Sequence, residues 1–121
     1  MTEIQNTKQY DLEDRTFEFA KNVRVLVRKM PKNISSIEDC KQLVRSSGSV
    51  GANYIEANES LSKKDFVMRV KISRKEAKES VFWLKLLDTS TDQSLENERI
   101  KLIKEAQELT NICGAIIRKS E

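Results

Sequence analysis

A run of small residues sits inside a segment otherwise patterned as a helix: Ser46-Ser47-Gly48-Ser49-Val50-Gly51-Ala52, leading into Asn53-Tyr54-Ile55-Glu56-Ala57-Asn58-Glu59. A glycine inside a helix costs about 1 kcal/mol relative to alanine. A chain tolerates that cost where another backbone must come close. The middle of this helix is therefore expected to press against a neighbouring helix, which points to a tightly packed helical assembly rather than to any reaction.

The rest of the chain agrees with an all-helical reading. Its 121 residues suit one domain with a single core, and it holds only three glycines and one proline. Pro31 ends a first helix over about 12–30, because the residue before proline is pushed out of helical geometry. Asp11 is its expected cap, and Phe17, Ala20, Val23, Leu26, Val27 and Met30 form its apolar stripe. Ser36-Ile37-Glu38-Asp39 has capping-box spacing and opens a second helix over about 36–60. That helix is expected to face inward through Ile37, Cys40, Leu43, Val44, Ser47, Gly51, Tyr54 and Ala57. Ser62-x-x-Asp65 opens a third over about 63–87, and a fourth spans about 95–118 after a polar loop. Residues 1–10 are expected to be a loose tail before a bundle over 11–119. Four helices with short connections predict an antiparallel up-down-up-down four-helix bundle.

The third helix carries more than one distinctive face. With Lys71 set at zero and about 100° per residue, Phe66, Val70, Ala77, Val81 and Leu84 fall between about 220° and 280°, as a core stripe. Met68, Ile72, Trp83 and Leu86 fall between about 60° and 120° and form a second apolar stripe. A lone bundle covers one such face, so the second predicts self-association, with Trp83 as an anchor. The alternative is that this stripe packs within its own chain. Between the stripes lie Lys64, Lys71, Arg74, Lys75, Lys78 and Lys85, a ridge without an acid and with Phe82 interleaved. Such a ridge could neutralise phosphates, or it could be a solvated face. The net charge of +3 is too mild to decide between them, so the placement of charge matters more than its total.

Several chemistries are disfavoured. Histidine is absent, which removes the commonest general base and metal ligand. Cys40 and Cys113 lie on apolar faces of different helices, with no zinc spacing, and read as buried thiols rather than a disulfide. Glu56 or Glu59 is expected to pair with Arg69, Arg74 or Arg45 and Asn53 to cap or crosslink backbone, so that these residues, with Glu76 and Glu79, read as structure rather than as a catalytic or metal site. No cofactor is expected. The N-terminus lacks an apolar signal core and no long apolar run occurs, so a cytoplasmic protein is expected.

Ser49-Val50-Gly51-Ala52-Asn53-Tyr54-Ile55-Glu56-Ala57, Lys64-Asp65-Phe66 and Ile72-Ser73-Arg74-Lys75-Glu76-Ala77-Lys78-Glu79-Ser80 resemble the four-helix bundle proteins of the 23S rRNA intervening sequence family. The resemblance implies a ring-shaped homopentamer with no enzymatic activity. A related branch, the accessory variability protein of diversity-generating retroelements, implies contact with nucleic acid and a reverse transcriptase. The family resemblance also implies a buried polar network of Asn53, Glu56, Arg74 and Glu79. Many members carry Arg-Gly-Ser where this chain has Arg74-Lys75-Glu76.

Overall fold

The computed structural model of the protein describes the backbone of residues 7–121 and the side chains from Leu12 onward. Among the described residues there are four helices: α1 (Thr7–Lys29), α2 (Ile34–Asn58), α3 (Lys63–Leu86) and α4 (Gln93–Ser120). Helix α1 packs on α2 and α4, and α3 on α2 and α4, which leaves α1/α3 and α2/α4 as diagonals. Cross-helix pairs run in opposite sequence order. Glu13 meets Asn58 while Thr16 meets Gly51, and Asn53 meets Arg69 while Ser46 meets Ser80.

Local signals set the helix ends. Met30 stops α1 just before Pro31, with its N–H donating to the Val27 carbonyl. The start of α1 lies at Thr7, so Asp11 falls inside the helix rather than capping it, and the tail expected over 1–10 is helical from position 7. The remainder of that tail, 1–6, lies outside the described residues. The cap of α2 is Asn33, three residues ahead of the expected Ser36; its Oδ1 accepts from the Ser36 N–H at 2.9 Å. Asparagine caps as well as serine does, and taking the earlier site adds a turn to the helix. Ser62 caps α3 as expected, accepting from the Asp65 N–H. Asp92 caps α4 and starts it at Gln93, two residues before the expected Leu95.

The core is built from fully buried Phe19, Val23 and Leu26 of α1, Leu43 and Val50 of α2, Val70, Ala77 and Leu84 of α3, and Ala106 and Leu109 of α4. Each large apolar side chain contributes about 1.5–3 kcal/mol by leaving water. Two expected core residues are displaced. Phe17 is 63% exposed, because Leu12, Thr16, Phe19 and Val23 define a stripe offset from it. Ile37 is 40% exposed, and Ser36 takes its place inside.

The small-residue segment of α2 serves two seams. On the α1 side, a Cβ on Gly51 would lie 2.8 Å from Thr16 Oγ1, closer than such atoms sit, and a tight 3.1 Å from Thr16 Cβ. Gly48 is not compressed in this way. Its Cβ would meet only the end of the Arg24 side chain at 3.5 Å, an ordinary contact. On the α3 side, hydroxyls replace methyls: Ser46 and Ser80 share a hydrogen bond of 2.9 Å, and Ser73 donates to the Val50 carbonyl at 2.7 Å. Those hydroxyls are fully buried and satisfied, so α2 and α3 approach closely without stranding a polar group.

Candidate nucleic-acid interface

Regular helical spacing places the six expected cations along one side of α3. Lys64, Lys71, Lys75, Lys78 and Lys85 are exposed, and Arg74 is half-buried. Lys71 sits 3.6 Å from the Glu121 carboxylate; the other five have no ion pair among the described residues. Lys75 helps hold the neighbouring Glu79 carboxyl below its usual range, after the larger effects of the Trp83 and Arg45 hydrogen bonds. Two grooves flank the ridge. One, of about 240 Å³, is lined by Lys78 and Val81 of α3 and by Gln107, Thr110 and Asn111 of α4, with no acid. The other, of about 720 Å³, adds Lys63 and Met68 beside Lys64 and Lys71, with Asp65 and Glu121 as the acids. Sequence reasoning missed the α4 amides. Their i, i+4 spacing was visible, but only packing reveals that they border α3.

The second apolar stripe is partly covered by its own chain. Met68 and Leu86 are about half exposed, at 49% and 50%, whereas Ile72 and Trp83 are half-buried. Trp83 packs on the main core, and its indole N–H donates to Glu79 at 2.9 Å, so it is not a free anchor. Phe82 is 56% exposed and meets Trp83 edge to face at 4.9 Å. The uncovered apolar surface is thus Met68, Phe82 and Leu86, which interleaves with the lysines.

The four residues expected to form a single polar network are split. Asn53 accepts from Arg69 at 3.2 Å and donates to the Ser49 carbonyl. Glu79 accepts from Arg45 at 2.7 Å and from Trp83. Glu56 is exposed and Arg74 joins neither pair. The reason is register: Asn53 lies opposite Arg69 on the α2–α3 seam, and Glu79 lies more than two turns further along it, opposite Arg45. Among the described residues the buried acid is Glu76, 7% exposed, with Oε1 lacking a hydrogen-bond partner and Arg45 3.7 Å away. On the far side of the bundle, Arg15 holds Glu105 through two hydrogen bonds and Glu108 through one, which raises its already high pKa and ties α1 to α4.

Both cysteines are free and buried, with their thiol pKa values raised chiefly by burial. Cys113 lies 3.8 Å from the Ser73 hydroxyl. Among the described residues no cluster of Cys, Asp and Glu gathers in a metal-binding arrangement, and no helix is long and apolar enough to cross a membrane.

These features define an all-α four-helix bundle with one cation-rich helix face and no assembled reactive centre among the described residues. The family model of the 23S rRNA-intervening sequence protein matches residues 8–115, and the chain belongs to that family. It is also similar to a solved structure from Bacteroides thetaiotaomicron, a protein of unknown function from the S23 ribosomal protein family. The two are 29% identical with a TM-score of 0.72, over 87% of this chain and 96% of that one. No curated protein matches the sequence.

Proposed function

We propose that this chain is a non-enzymatic, cytoplasmic, homo-oligomeric bundle of up-down-up-down antiparallel helices that binds RNA or DNA through the α3 ridge. The observation that carries the reading is the row of cations on one side of α3, five of the six without an ion pair among the described residues. Positive charges aligned along a helix are suited to a phosphate backbone, and exposed Phe82 among them offers a base a stacking partner. A ring, taken as a pentamer from the family resemblance, would set several ridges side by side and strengthen the field of each. A reverse transcriptase as protein partner rests on that resemblance alone.

The test is a binding titration with a single-stranded RNA oligonucleotide and a DNA duplex across a salt series. Binding should weaken steeply as salt rises. Replacing Lys71, Lys75 and Lys78 by glutamine should reduce the slope of log affinity against log salt by about 2–3. Affinity that is absent at low salt, or insensitive to salt, would refute the reading. A protein scaffold without nucleic-acid contact is the second reading, favoured by the exposed Met68 and Leu86. It predicts a co-purifying protein that survives nuclease treatment.

A further inference from the structure

A third groove, open to solvent, lies away from the ridge in the corner where α1 ends and α2 begins, and its lining suits a small molecule. It measures about 430 Å³, within the usual range for ligand pockets. Val27, Met30, Pro31, Ile37 and Val44 form its apolar walls. Two polar side chains lie among them. Ser36 is 8% exposed, and its hydroxyl is buried without a hydrogen-bond partner. Cys40, also 8% exposed, is near enough to feel that hydroxyl, although the geometry falls short of a hydrogen bond.

The rim is basic. Lys32 and Lys41 both line the pocket and are exposed. Lys32 has no ion pair among the described residues, and its charge reaches Cys40, where it opposes the upward push of burial on the thiol. The nearby acids are Glu38, 3.5 Å from Lys41 in an exposed pair, and Asp39. An open apolar groove with an unsatisfied hydroxyl in its floor, unpaired Lys32 on its rim and Lys41 beside it calls for a ligand with an apolar body and an anionic head.

We propose that this corner groove binds a medium-chain aliphatic carboxylate, with its head accepting from the Ser36 hydroxyl and facing Lys32 and Lys41, and its tail along Val27, Ile37 and Val44. The inference goes beyond the nucleic-acid reading and does not depend on it, since the ridge lies on α3 and the pocket on α1 and α2.

Octanoate is the probe, with octanol and octylamine as comparators of equal chain length. The readout is the rate at which iodoacetamide alkylates Cys40, followed by mass spectrometry, alongside the thermal midpoint. Octanoate should slow alkylation of Cys40 and raise the midpoint, and the two comparators should do neither at the same concentration. Lys32→Gln should weaken the effect about tenfold, the loss of one good charged contact. Val44→Trp, which fills the groove, should abolish it. Equal protection by all three compounds, no protection by octanoate, or protection that persists in Val44→Trp would overturn the proposal. Should Val44→Trp fail to fold, the surface pair Lys32→Gln/Lys41→Gln decides: unchanged octanoate affinity overturns it.

Discussion

Gly51→Ala and Gly48→Ala, two substitutions of the same chemistry one turn apart, should part company: Gly48→Ala should raise stability by about 1 kcal/mol, and Gly51→Ala should leave it level or lower it by up to about 2 kcal/mol. Each replaces a mid-helix glycine by the best helix former, a gain of about 1 kcal/mol. At Gly48 nothing opposes the gain, because the new methyl meets only the Arg24 guanidinium at 3.5 Å, an ordinary contact. At Gly51 the methyl would sit 2.8 Å from Thr16 Oγ1. Thr16 cannot swing away: it is 2% exposed, and its hydroxyl is held by the Glu13 carbonyl. Either α1 shifts or the side chain leaves its rotamer, at about 1–3 kcal/mol for overpacking. The helix-propensity gain is common to both variants, so the difference between them isolates the steric cost, again about 1–3 kcal/mol. Urea unfolding followed by circular dichroism, at one fixed protein concentration, measures it. A double variant with Thr16→Ala should recover part of the loss, as residues in contact couple by about 0.5–3 kcal/mol. If Gly51→Ala proves as stable as Gly48→Ala, the close α1–α2 contact inferred from the small-residue run is wrong.

Other outcomes follow from the α2–α3 seam and the exposed α3 face. Arg45→Ala removes the cation shared by Glu79 and buried Glu76 and should cost about 1–2 kcal/mol in chemical unfolding, with Glu76→Gln in that background recovering part of it. Because the folded Glu79 carboxyl titrates below its usual range, its pairing stabilises the fold above about pH 4.3. That contribution disappears as pH falls through the lower folded value, and Trp83→Phe should flatten this part of the acid-denaturation curve. Met68→Glu with Leu86→Glu should lower the mass seen by light scattering if the exposed α3 face joins copies; an unchanged multimer mass would count against that face. Trp83→Glu is the poorer test, because Trp83 packs on its own core.

What the sequence made legible followed from helical periodicity. The α3 core positions Val70, Ala77 and Leu84 and the exposed lysines were set by spacing alone, since every third or fourth residue must share a face. Phe17 shows the limit. It stands only two residues from Phe19, and the turn that places one inside sends the other into water; which one enters depends on how α1 is rolled against Gly51. Only Ser36 stood out as a cap, yet Asn33, three residues earlier, has a similar intrinsic preference, and the longer helix won. Glu76 was hidden for a different reason. A glutamate is usually exposed, and its burial comes from the close α2–α3 seam that Ser46, Ser73 and Ser80 permit.

Trp83 is the sole tryptophan of the chain. Half-sunk, bonded to Glu79 and edge-on to exposed Phe82, it gives the protein a built-in optical reporter beside the lysine row. A nucleobase that stacks on Phe82 should quench its emission, whereas a fatty acid lodged at the α1–α2 corner should leave it unchanged, so one spectrum would distinguish the two ligands without a label.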